Sequence, residues 1–171
     1  FRANVEVDTY AQTRVQMGIN PTHFQWHLPV GEAFQTPEVV LVYSENGLNG
    51  LSQTLHPFYQ KHLIRGQHQL AERPVLINNW EGTYFDFTAE KIEAMADEAS
   101  TLGIELFVLD DGWFGKRDDD YSSLGDWHVH TAKLPDGLKQ LAENIKARGM
   151  LFGLWFEPEM ISEDSELYRA H

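Results

Sequence analysis

The sequence predicts an α/β fold: strand–helix units that build a parallel sheet, preceded by a stretch of short strands. Three observations predict it. Pro74-Val75-Leu76-Ile77-Asn78-Asn79-Trp80, Ile104-Glu105-Leu106-Phe107-Val108-Leu109-Asp110-Asp111-Gly112-Trp113 and Met150-Leu151-Phe152-Gly153-Leu154-Trp155-Phe156-Glu157-Pro158-Glu159 are apolar runs of strand length. They do not alternate, so both faces are expected to be covered, as in parallel sheets. Two segments with helical periodicity lie between them, which makes the order strand, helix, strand, helix, strand.

Residues 1 to about 45 have a different pattern. Val5–Val7, Arg14–Ile19, Phe24–Leu28 and Glu38–Tyr43 alternate or are β-branched, with turns at Asn20-Pro21, Pro29–Gly31 and Thr36-Pro37. Short strands so punctuated predict part of a β-sandwich. Phe24 and Trp26 have the spacing of a sugar-binding face, but core packing is the favoured reading. Leu48, Leu51, Leu55, Phe58, Tyr59, His62 and Leu63 recur at helical spacing, so a connecting amphipathic helix is expected over roughly 48–64, with a polar link to Arg73. The boundaries are 1–45 for the sandwich tail, 46–73 for the connector and 74–171 for the strand–helix units.

Within those units, Thr88 is the expected N-cap of a helix whose buried stripe is Ile92, Met95, Ala96, Ala99 and Leu102, ended by Gly103. Pro135-Asp136-Gly137 starts the next helix, with Leu138, Leu141, Ala142 and Ile145 inward and Gly149 at its end. Phe107, Leu109, Phe152 and Leu154 are expected to need partners from further strands.

Composition narrows the function. A net charge of −13 argues against nucleic acid, whose phosphates would repel it. There is no cysteine, hence no disulfide framework and no zinc–thiolate site. No apolar run approaches a membrane span. These features are compatible with a cytoplasmic protein. The chain begins at Phe1 without an initiating Met and stops at Leu167–His171 in what reads as the start of a helix, so an internal fragment of a longer protein is expected.

Each strand ends in chemistry. Asp110-Asp111-Gly112-Trp113 places two carboxylates and an indole at one tip, and Trp80 and Trp155 stand at the neighbouring tips. Strand tips of this kind open on the C-terminal end of a barrel, where such folds hold their sites. Ionised carboxylates only accept hydrogen bonds, which suits sugar hydroxyls. Indoles offer flat faces to the C–H side of a pyranose. Asp110, Asp111, Trp80 and Trp155 are therefore the candidate substrate-binding residues. A magnesium ion on Asp110, Asp111 and Glu157 is the rival reading. The long polar stretch 114–134 is expected to be functional or disordered. Its Asp118-Asp119-Asp120 lacks the spacing of a calcium loop and reads as a solvated acidic turn. His128 and His130 alternate like a metal pair but have no evident third ligand. No metal and no cofactor are implied.

Four motifs in order, Asn78-Asn79-Trp80-Glu81, Leu109–Gly115, Leu124-Gly125-Asp126-Trp127 and Trp155–Met160, resemble the large microbial α-galactosidases of glycoside hydrolase family 36. Gly31–Glu38 and the 47–66 segment extend the likeness. The resemblance implies the tail of an N-terminal β-supersandwich followed by the first three or so units of a (β/α)8 TIM barrel. It implies retaining hydrolysis of terminal α-linked galactose in oligosaccharides such as melibiose and raffinose, within a homotetramer. Asp110 and Asp111 then hold galactose hydroxyls, and Trp80 and Trp155 shape the subsite. The nucleophile and acid/base aspartates of that family lie in later motifs that this sequence does not contain, so no catalytic residue is assigned. Gly82, His128 and His130 depart from the family pattern. The alternatives are a related raffinose- or stachyose-type galactosyltransferase and a non-catalytic carbohydrate-binding fragment.

Overall fold

The computed structural model describes residues 1–171, which form two compact units, Phe1–Ala71 and Glu72–His171. The first holds an antiparallel hairpin of β1 (Arg2–Val7) and β2 (Thr13–Gly18), with Arg2 opposite Gly18 and Val7 opposite Thr13. Asp8 closes it: Oδ1 accepts from the N–H groups of Tyr10 and Gln12. No residue of either strand is buried. The segments at Phe24–Leu28 and Glu38–Tyr43 form no ladder, because a strand exists only by pairing and neither finds a partner strand in this chain. Trp26 packs on Phe34 (ring centroids 4.6 Å) and Phe24 lies 6.1 Å from the same ring, yet Trp26 stays 60% exposed. The connecting helix α1 spans Gly47–His62 and buries none of its residues.

The second unit carries the parallel sheet. β3 (Leu76–Asn78), β4 (Leu106–Leu109) and β5 (Leu151–Leu154) lie in the order β3-β4-β5, with Leu76, Leu106 and Leu151 level and Ile77, Phe107 and Phe152 one step on. The short helix α2 (Trp80–Thr83) follows β3 directly. Helix α3 (Ala89–Thr101) begins at Thr88, whose side chain accepts from the Lys91 N–H, and helix α4 (Gly137–Ala147) precedes β5. A terminal helix α5 spans Glu166–Ala170.

The core lies on one face of this sheet. Ile92, Ala96 and Ala99 of α3 and Leu141 and Ile145 of α4 cluster with Phe107 and Leu109 of β4. Ile77, Phe152 and Leu154 pack against the same cluster. The expectation that both faces are covered therefore holds on one side only: Leu76 and Leu151 are about half exposed. Phe107, Leu109, Phe152 and Leu154 face the helices, and the open side carries Leu76, Leu106, Val108 and Leu151, one step out of phase. The two faces follow from the alternation of side chains along each strand. Leu102 also departs from the expected stripe. It occupies the C-cap of α3, beyond the last turn, and is 80% exposed. Arg148, at the end of α4, ties the two helices together by donating from Nε to Asp97 (2.6 Å) and from Nη2 to Glu93 (3.4 Å). No helix is long and apolar enough to cross a membrane.

Candidate carbohydrate site at the strand tips

The register brings the three strand tips level. Beyond the last paired residues, the Trp155 N–H still donates to the Leu109 carbonyl (2.9 Å), so Asp110 and Trp155 emerge side by side. On the other flank the backbone ladder gives way to a side chain. Asn79, fully buried, accepts the Asp110 N–H on Oδ1 (2.8 Å) and donates from Nδ2 to Thr83 Oγ1 (2.8 Å). Its neighbour Asn78 donates from Nδ2 to Asp110 Oδ2 and accepts the Trp80 N–H on Oδ1 (2.7 Å). Two consecutive amides thus fix both the main chain and the carboxylate of Asp110.

The two aspartates differ in what they have left to offer. Asp110 Oδ1 accepts the Asp111 N–H (2.7 Å) and Oδ2 accepts from Asn78. Against about four lone-pair sites on a carboxylate, about two remain. Asp111 accepts the Gly112 N–H on Oδ1 (2.6 Å) and meets Arg117 side-on: Nε lies 3.0 and 3.1 Å from the two carboxylate oxygens, and Nη2 lies 2.9 Å from Oδ2. Three N–H groups on four sites leave about one. Both partners of this ion pair are buried, Asp111 at 5% and Arg117 at 3% exposure. Gly112 turns the chain at φ +93°, and a Cβ there would press against Phe85, Lys133 Nζ and the Arg117 carbonyl at 3.1–3.3 Å. This tight turn follows directly on the two consecutive carboxylates at the end of β4.

The indoles flank this pair. Trp80 and Trp155 are half-buried, and Trp80 stands edge-on to Tyr84 and Phe85. The Trp155 carbonyl accepts the Trp113 indole N–H (3.0 Å). Trp113 is itself buried in a cluster with Phe114, Trp127 and Phe156. That cluster fixes the β5 tip from behind.

The stretch 114–134 is ordered, and two cations organise it. Lys133, 8% exposed, donates to the carbonyls of Gly112 (3.1 Å) and Arg117 (3.0 Å) and pairs with Asp118 (2.8 Å). Lys133, with His130 beside it, holds the Asp118 carboxyl below the usual aspartate range. Asp119 and Asp120 are exposed, as the expected solvated turn requires, whereas Asp118, also exposed, is tied to Lys133 and His130. No three His, Asp or Glu side chains converge closely enough to hold a metal ion, so Asp110, Asp111 and Glu157 do not form a magnesium set.

Sequence reasoning assigned no role to Asn79, Arg117 or Lys133. A signal was present: two aspartates on a buried strand require compensating donors, and Arg117 and Lys133 are cations in the polar stretch that follows.

The family model described as melibiase matches residues 33–171. The chain is 61% identical over all 171 residues to α-galactosidase AgaA of Geobacillus stearothermophilus, of which it spans 24%. It is 53% identical over 167 residues, 98% of the chain, to α-galactosidase Mel36A of Lactobacillus acidophilus, of which it spans 23%. The crystal structure of the Geobacillus enzyme superposes with a TM-score of 0.89 over 99% of this chain and 24% of that one. A variant of the same enzyme, solved in complex with raffinose, matches at 60% identity and a TM-score of 0.89, again over 99% of this chain and 24% of that one. The chain thus spans about a quarter of the length of these relatives.

Proposed function

Because the chain belongs to the melibiase family, we propose that it is the galactose-recognising part of an α-galactosidase, in a parent protein that hydrolyses terminal α-linked galactose from oligosaccharides such as melibiose and raffinose. The observation that carries this reading is Asp110. Its carboxylate is held at a strand tip by Asn78 and by the Asp111 N–H, with about two lone-pair sites unspent, level with Trp155. A carboxylate fixed by donors, beside half-exposed indoles, accepts sugar hydroxyls. Asp111 contributes its remaining site, and Trp80 and Trp155 bound the pyranose.

Residues 74–171 are, on this reading, the first three or so units of a (β/α)8 barrel, residues 46–73 a connector and residues 1–45 the tail of a β-supersandwich. The open sheet face supports it. Leu76, Leu106, Val108 and Leu151 point to the side that a closed barrel fills with layered side chains. The two compact units also divide near the proposed boundary, between residues 71 and 72. The nucleophile and the acid/base are assigned to strands beyond these residues, and each acts on a galactoside held by this part. A homotetramer is the assembly that the resemblance implies, and the cysteine-free sequence is compatible with a cytoplasmic setting.

The test is an assay of the parent protein on p-nitrophenyl α-galactoside, melibiose and raffinose, with product analysis. Release of free galactose supports hydrolysis. Transfer of galactosyl groups to raffinose or sucrose as the dominant product would replace the reading with a synthase. Galactose binding without turnover would reduce it to a carbohydrate-binding protein.

A further inference from the structure

Arg117 stands in an unusual place for its kind. It is buried in a polar stretch whose neighbours Lys116 and Asp118 are exposed. A buried guanidinium is costly unless its N–H groups are matched. Here they are: Nε and Nη2 go to Asp111 and Nη1 to the Ser122 carbonyl (2.8 Å), while the charge lies over the Phe85 ring at 5.6 Å. Its main chain is fixed as well, since Lys133 Nζ holds the Arg117 carbonyl and the Gly112 carbonyl together. The guanidinium is therefore a rigid reference, pinned at both ends.

We propose that Arg117 is a positioning residue of the galactoside site, locking the Asp111 carboxylate in the one orientation that leaves a lone pair for a sugar hydroxyl. This rests on the reading of the strand tips as a galactose site. A lone carboxylate rotates about its χ angles and spends its lone pairs on water. Side-on pairing with a planar guanidinium removes that freedom, because two N–H groups define a plane as well as a distance. An ammonium supplies a point charge without the plane, so lysine does not replace it. Asp110 needs no such partner, since Asn78 at the end of β3 and Asn79 just after it fix it. The two carboxylates are thus held by independent devices, one of amides and one of a cation.

The experiment is a double-mutant cycle in the parent protein, with Arg117→Lys, Asp111→Asn and both together. The readouts are kcat/KM on p-nitrophenyl α-galactoside and on its monodeoxy analogues, with thermal stability in parallel. Arg117→Lys is expected to lower kcat/KM about tenfold to a hundredfold, the range of one charge-assisted hydrogen bond. That loss should disappear in two settings: in the Asp111→Asn background, and on the deoxygalactoside for which Asp111→Asn itself costs nothing. A role in folding alone would lower stability and affect every analogue equally. Additive losses in the cycle, or equal losses on all analogues, would overturn the proposal. If Arg117→Lys does not fold, Arg117→Gln carries the same comparison, since its amide keeps one donor for Asp111. A parent protein with no activity and no galactose affinity would overturn the site reading itself. An active parent with additive losses overturns only the role of Arg117.

Discussion

Asn79 is where the fold and the proposed site share one side chain, and its replacement gives a sharp prediction. Asn79→Ala removes the acceptor of the buried Asp110 N–H and the donor to Thr83 Oγ1. The stranded N–H carries a desolvation penalty of about 1–3 kcal/mol, and the Thr83 bond is worth about 0.5–1.5 kcal/mol. Thr83 Oγ1 keeps the carbonyls of Asn79 and Tyr84 as acceptors, so its share falls at the lower end. The expected cost is about 1.5–3.5 kcal/mol, concentrated at the β3 and β4 tips. Hydrogen exchange of the parent protein reads it locally: the Asp110 amide should exchange about 10- to 400-fold faster, with the amides of α4 unaffected. Asn79→Asp is the complementary test. It keeps the acceptor oxygen but brings a second carboxylate against Asp110 where no solvent reaches. Burial raises the pKa of such a group above its unfolded value, so the variant should be least stable at neutral pH and recover as pH falls. Unchanged exchange of the Asp110 amide in Asn79→Ala would refute the claim that this side chain replaces the ladder.

Asp111→Asn should lower kcat/KM of the parent protein about tenfold to a few hundredfold, through weaker bonds to the sugar, and also cost about 3–5 kcal/mol of stability, because Arg117 is left buried and unpaired; steady-state kinetics and denaturant unfolding read the two separately, and unchanged kinetics would remove Asp111 from the site. The isolated 171-residue chain should not turn over p-nitrophenyl α-galactoside, since retaining hydrolysis needs two carboxyl groups about 5 Å apart across the scissile bond and the proposal places that pair elsewhere; turnover by the purified chain would be decisive against it. The same chain should self-associate: it exposes 13149 Å², where two compact units of this size would expose about 10,000 Å², and size-exclusion chromatography showing a monomer with a sharp unfolding transition would contradict that. Acid should loosen the second unit. Arg148 holds the Asp97 carboxyl, and Lys133 that of Asp118, below the ordinary aspartate value, so their contribution is present above the unfolded pKa of about 4 and is lost as pH falls through the lowered folded values. Unfolding midpoints between pH 6 and pH 3 measure this, and a smaller acid loss in Arg148→Met would assign part of it to Asp97.

The sequence by itself determined the strand–helix order of residues 74–171, the cap at Thr88, the apolar stripes of α3 and α4 apart from Leu102, and the delivery of acids and indoles to strand tips. Those features depend on local periodicity and on residue types with strong conformational preferences, which a chain displays without being folded. Tertiary structure alone decided how the two aspartates differ. Asp110 and Asp111 are adjacent and chemically identical in the sequence, yet one is held by the side-chain amides of Asn78 and Asn79 and the other by a guanidinium six residues downstream. It also decided which face of the sheet is covered, and that the polar stretch 114–134 is ordered by two buried cations. The strands expected at Phe24–Leu28 and Glu38–Tyr43 are not formed, for a reason no local pattern carries. A buried charge and a β-strand are both completed only by a partner, and where that partner lies is set by the packing of the whole chain rather than by the residues beside it.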